Sequence, residues 1–162
     1  MKTFAQKVRV RGSSAVLVVT AALAAASLAI AQPIAHAGDS VGGKVQVVIA
    51  GTNDRFDVTD GSLAGKGTFD ASGAITDKGI ALGYRTVKGD PSSADGALIT
   101  LRFVTKGKKG TVTYVVKIDT KAGTSRWTIA SGAKAYKGLH GKGTESENAT
   151  YTVSTLRGTV WR

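Results

Sequence analysis

The chain has 162 residues, no cysteine and two histidines, and it carries 22 Lys and Arg against 11 Asp and Glu, a net charge of +11. Without cysteine there is no disulfide staple, no thiolate nucleophile and no Cys-based zinc site, and two imidazoles cannot build a His-rich metal centre. Stability must come from burial and hydrogen bonding.

The first segment is set apart by its composition. Lys2, Lys7, Arg9 and Arg11 precede an apolar stretch from Ala15 to Ala31, broken only by Thr20 and Ser27, and Ala35-His36-Ala37 has the small-x-small form of a cleavage site. That order predicts a secretory signal peptide over residues 1–37, cleaved after Ala37, and hence an extracellular protein. A retained anchor is the alternative, but spanning a bilayer takes about 20 apolar residues, and alanine-rich segments insert weakly. The remainder, Gly38 to Arg162, is 125 residues long, which suits one domain. A domain of that size hides about two thirds of the surface its unfolded chain exposes. Four of the 22 cations and none of the 11 acids lie in the leader, so the remainder holds 18 against 11, a net of +7. His36 belongs to the leader, which leaves His140 as the one imidazole beyond it.

From Lys44 onward the pattern is one of short alternating runs separated by turn residues. Lys44 to Ala50 places Val45, Val47 and Ile49 on one face. Asp54 to Gly61 holds Asp54, Asp57 and Asp60, but not at EF-hand spacing, so a solvated loop is preferred to a calcium site. Gly61-Ser-Leu-Ala-Gly65-Lys66-Gly67 is one residue short of a phosphate loop and lacks the following Ser or Thr, so it is taken as a turn leading into a strand. Gly79 to Lys88 and Ala97 to Lys106 are longer runs with less clean faces. Lys106-Gly-Lys108-Lys109 reads as a solvated hairpin tip. Its alternative is contact with an anionic polymer, a lipid headgroup or nucleic acid.

Thr111 to Asp119 puts Val112, Tyr114, Val116 and Ile118 on one face and turns Asp119 away from them. Ser125, Trp127 and Ile129 share a side. A single helical turn is expected over Ala133 to Lys137, within the glycine-spaced corner Gly132 to Thr144. Glycine density argues against any longer helix. Gly138, Gly141 and Gly143 stand in the wrong order for a dinucleotide fingerprint and are assigned to backbone geometry. His140, beside Lys142 and Tyr136, is assigned a structural role rather than acid-base work. Asn148-Ala-Thr150 has the form of a glycosylation sequon, which carries meaning only where the exporting host glycosylates such sites. Ala149 to Trp161 is the last run, and its poor alternation near Gly158 predicts a bulge. About eight strands and no ordinary helix predict an all-β sandwich or barrel over 38–162, and the glycine-rich corner at Gly132 to Thr144 is a way of closing a small antiparallel barrel.

Gly73-Ala-Ile-Thr-Asp77-Lys-Gly79 after Gly67-Thr-Phe69-Asp-Ala, then Arg126-Trp127 through Gly132-Ala-Lys-Ala-Tyr136-Lys-Gly138-Leu-His-Gly141-Lys-Gly143-Thr144, with Leu156-Arg-Gly158-Thr-Val160, resembles secreted bacterial proteins with an allene oxide cyclase-like or dirigent-like barrel. The resemblance covers most of Gly65 to Trp161. It implies an all-β fold made of a single eight-stranded antiparallel barrel of calycin type over 38–162, often oligomeric, with a largely apolar cavity. The plant enzyme's reaction does not follow from it, since Glu145, Glu147 and Asp119 match no catalytic position and are taken as surface or turn charges.

The function expected is binding of a small apolar or phenolic ligand by a secreted barrel that is non-catalytic or weakly catalytic and uses no cofactor. The candidate ligand-binding residues are Tyr84, Phe103, Tyr114, Trp127 and Tyr136, because aromatic faces supply much of the contact area in such pockets. For Trp127 and Tyr136 the competing role is core packing. An isomerase or cyclase, or a stereo-directing dirigent-like protein, is the second reading, and the first of these requires a carboxylate inside the barrel. A structural or envelope-interaction protein acting through its basic surface is the third. The partners expected are a small hydrophobic or phenolic molecule, an anionic cell-envelope polymer and further copies of the chain. Nucleic acid is not expected, since no aromatic residues flank the lysine cluster.

Overall fold

The computed structural model describes residues 42–162, so the signal segment expected over 1–37 lies outside the described residues. Eight strands follow in order: β1 Gly43–Ala50, β2 Asp60–Gly73, β3 Asp77–Gly89, β4 Ala97–Gly107, β5 Gly110–Asp119, β6 Thr124–Lys134, β7 His140–Glu147 and β8 Val153–Trp161. Each pairs antiparallel with the next, and β8 returns to β1, closing the eight-stranded barrel that the sequence predicts. Closure leaves no edge strand among the described residues.

Alternation decides which side chains go inside. On β5 Val112, Tyr114 and Val116 are buried, while Thr111, Thr113 and Lys117 are not. Val45, Val47 and Ile49 of β1, Phe69 and Ala71 of β2, Ala81 of β3, Leu101 and Phe103 of β4, Trp127 of β6 and Leu156 and Val160 of β8 also face the interior. Burying each of the large ones contributes about 2–3 kcal/mol relative to exposure. Tyr114 and Trp127 meet edge to face, 5.8 Å apart at 77°.

Trp127 also explains the weak alternation near Gly158. The indole lies against Gly143 and Gly158, which face each other across β7 and β8, and its Nε1 donates to the Arg157 carbonyl at 3.1 Å. A Cβ at Gly143 would come within 2.7 Å of Nε1, and one at Gly158 within 2.8 Å of the indole edge. The bulge expected there is absent, since β8 pairs with both β7 and β1 in unbroken register. Register shifts occur instead where Thr113 and Tyr114 oppose Ser131 and Ile129, and twice at the start of β2 against β3. These supply the bending that closure requires.

The glycine-spaced corner also departs from expectation. In place of a helical turn over Ala133–Lys137, β6 continues to Lys134, which takes a positive φ of 56°, and successive turns follow. Their bonds run from Tyr136 N to Ala133 O at 3.2 Å, Lys137 N to Lys134 O at 3.1 Å and Leu139 N to Tyr136 O at 3.1 Å. The turns carry Tyr136 and Leu139 inward, where with Ile75 and Val112 they seal this end of the barrel. Asp77 ties the seal together. Its carboxylate accepts from Lys78 N at 2.9 Å and from Lys108 N, Lys109 N and the Tyr136 hydroxyl at 3.1 Å each. The lysine hairpin tip is thus anchored through its backbone.

Candidate functional site

The opposite end is open. Large side chains fill the lower barrel, so the apolar lumen is confined to a cavity of about 540 Å³ at the mouth. Ile99 and Leu101 of β4 and Ile118 of β5 form its apolar wall, and Asn53, Arg85 and Glu147 supply polar groups. Two loops bring Phe56 and Tyr151 over it, edge to face at 6.1 Å and 81°. The loop after β1 can fold inward because β3 carries glycine beneath it. A Cβ at Gly83 would collide with the Thr52 carbonyl. The same turn buries Asn53, which is 6% exposed.

Arg85 holds the lid in place. Its guanidinium donates to the Phe56 carbonyl and lies 5.6 Å from the centre of the Phe56 ring. The second loop is set by Asn148, whose Oδ1 accepts from Thr152 N at 2.9 Å and Val153 N at 3.0 Å. That bonding makes the sequon asparagine a turn residue, and it starts β8 at Val153 rather than at Ala149.

Inside the rim stand two carboxylates. The inward positions of β7 are Gly141, Gly143, Glu145 and Glu147, and Glu145 is 9% exposed. The expectation that Glu145 and Glu147 are surface charges is therefore corrected, whereas Asp119, at the end of β5, caps the turn that follows, accepting from Lys121 N at 3.0 Å and Ala122 N at 2.9 Å. The Ser125 hydroxyl donates to Glu145 Oε2 at 2.7 Å. Glu145 Oε1, Glu147 Oε1 and Asn53 Oδ1 are buried without a hydrogen-bond partner. Burial holds the Glu145 carboxyl above its ordinary range, opposed by the Ser125 and Ser154 hydroxyls. Glu147 is pushed up to about 7, first by burial and then by the charge of Glu145, while Ser154, Arg85 and Asn53 pull the other way. A carboxyl that titrates near neutrality can take up or release a proton under ordinary conditions.

The five aromatic candidates lie elsewhere. Phe103, Tyr114 and Trp127 are packed inside the barrel, Tyr136 seals the closed end, and Tyr84 faces outward beneath the Arg102 guanidinium, 3.9 Å from its ring centre. None of them lines the mouth cavity. Burial raises the Tyr114 and Tyr136 phenols above their ordinary range, so both stay neutral. The mouth aromatics are Phe56 and Tyr151, loop residues that strand periodicity does not pick out.

The remaining motifs resolve into structure. In the Asp54–Asp60 loop Arg55 pairs with Asp57 at 2.9 Å, and Asp60 Oδ1 accepts from Ser62 N at 2.9 Å. Gly61 to Gly67 is part of β2. No group of three or more metal-ligating side chains occurs among the described residues. No protein-family model matches the chain, and no curated protein matches it.

Proposed function

We propose that the protein is an exported barrel of the allene oxide cyclase-like or dirigent-like kind that binds a small, mainly apolar molecule carrying a hydroxyl, as a phenol does. One observation carries the reading: an apolar cavity is lined by Glu147 and Asn53, each with a buried acceptor oxygen that lacks a donor. Leaving such atoms unpaired costs about 1–3 kcal/mol each, and a ligand hydroxyl reaching them offsets that cost. Ile99, Leu101 and Ile118 would take the ligand's apolar body, with Phe56 and Tyr151 closing over it. The test is a titration of isotope-labelled protein with a panel of phenols and their methyl ethers, followed by amide NMR. Shifts confined to the mouth, with phenols bound about tenfold tighter than their ethers, support the reading. Equal affinity for both members of each pair refutes it.

A second reading is favoured by the two inward carboxylates. An isomerase or cyclase needs a group that moves a proton at the wall of its substrate cavity, and Glu147, a desolvated carboxyl lining the mouth, supports that role. Conversion of a bound substrate that ceases in Glu147→Gln, with binding retained, would decide for catalysis.

A further inference from the structure

Beyond the mouth, the outside of the barrel carries a second feature. Where β6, β7, β8 and β1 pass side by side, two cross-strand rows run around the surface. In one, Arg126, Thr144, Arg157 and Gln46 stand opposite one another in successive strands, and in the next Thr128, Lys142, Thr159 and Lys44 do the same. Four cations alternate with three threonine hydroxyls and the Gln46 amide, and neither row contains an acid. Such a distribution is unlike a solvated face in which both signs intermingle and neutralise one another. Among the described residues the ion pairs are Arg55–Asp57 and Lys121–Asp95, and neither engages these cations. Arg157 is oriented by Gln46, whose Oε1 accepts from Nε at 3.0 Å.

The surface between the rows is concave. Two shallow depressions of about 910 and 560 Å³ share Gly158 and Thr159 in their walls. Glu145 is the one acid in those walls, and its carboxylate is tied to Ser125. Beside the trough, on the same outward alternation, His140 and Trp161 face each other across β7 and β8, 6.2 Å apart and within 23° of parallel, with Trp161 40% exposed. An exposed indole is an amphipathic platform whose face accepts apolar C–H surface while its surroundings stay wet.

We propose that this trough binds an acidic polysaccharide, the acid groups meeting Arg126, Lys142, Arg157 and Lys44, the sugar hydroxyls meeting Thr128, Thr144 and Thr159, and one sugar face resting on Trp161. Charge complementarity selects a polyanion. The interleaved hydroxyls and the single aromatic platform favour a sugar chain over single-stranded nucleic acid, which uses aromatic platforms for successive bases. The surface is distinct from the lysine hairpin at the sealed end, and the proposal does not depend on what the mouth holds.

Binding to polygalacturonate, measured by calorimetry at 50 and 300 mM NaCl, tests it. Native protein is expected to bind and to lose about tenfold or more in affinity at the higher salt. The triple variant R126Q/K142Q/R157Q should lose about 30-fold, the hairpin variant K106Q/K108Q/K109Q, which removes the same charge, less than about threefold, and W161A about fivefold. Thermal melts establish that each variant is folded. Absence of binding at 50 mM NaCl, equal losses in the two triple variants, indifference to W161A, or tighter binding of an oligo-dT of equal charge would each overturn the proposal.

Discussion

Replacing Glu147 by Gln separates the stability of the barrel from its proposed function. The carboxyl rises from an ordinary 4.5 to about 7 on folding, mainly because it is buried. A group whose folded pKa lies above its unfolded one favours the folded state when protonated, so its contribution is most favourable below about pH 4.5 and is lost as pH rises towards 7. At 1.36 kcal/mol per pH unit the full loss would be about 3 kcal/mol. Solvent reaching the mouth screens this to about 1–2 kcal/mol. The amide introduced by E147Q would keep the shape without the charge. Melting curves of native protein and E147Q should therefore nearly coincide at pH 4, and the variant should melt about 3–8 °C higher at pH 8. Taking the difference between the two proteins at each pH cancels the other titrating groups. A gap that stays constant across pH, or a variant less stable at pH 8, would refute the assignment of Glu147 as a desolvated acid. Phenol affinity should move in the opposite direction: at pH 8 the variant, lacking the carboxylate acceptor, should bind about tenfold more weakly than the native protein.

Three further outcomes are expected. Gly143→Ala puts a methyl group against the Arg157 carbonyl and the Trp127 indole and should cost about 2–4 kcal/mol in urea unfolding, whereas Gly123→Ala, at a position with open space but a positive φ of 60°, should cost about 1 kcal/mol; equal costs would mean that the indole does not need the glycine. Asp77→Ala removes the acceptor shared by three backbone N–H groups and the Tyr136 hydroxyl and should lower stability by about 2 kcal/mol, with Tyr136→Phe costing about 1 kcal/mol. If the sealed end is held otherwise, neither change will register in the melting temperature. Arg85→Met releases the Phe56 carbonyl and ring, so amide exchange across the Thr52–Asp60 loop should quicken about tenfold while the β5 amides are unaffected.

The barrel is legible in the chain wherever strands alternate apolar and polar residues, as in Val45, Val47 and Ile49 or Val112, Tyr114 and Val116. β7 defeats that reading, because its inward positions are two glycines and two glutamates and so carry no hydrophobic period. Glu145 and Glu147, spaced by two and followed by a turn, look the same in sequence whether they face solvent or the lumen. Only the neighbouring strands, which put Ser125, Ser154 and Leu156 around them, decide it. Gly158 misleads for a related reason. Its missing side chain suggests a distorted backbone, whereas the register pairs it with Gly143 to admit Trp127, a tertiary need that no local window contains. The aromatic residues at the mouth escape notice because Phe56 and Tyr151 sit in loops, where period carries no information, and the strand aromatics are spent on filling the barrel.

The knot of bonds around Asp77 makes the barrel a vessel with one door. Whatever occupies the cup must leave by the route it entered, so a newcomer cannot push an occupant through from behind. For the ligand proposed above, exchange would then wait on spontaneous escape past Phe56 and Tyr151, at a rate indifferent to how much competitor surrounds the protein.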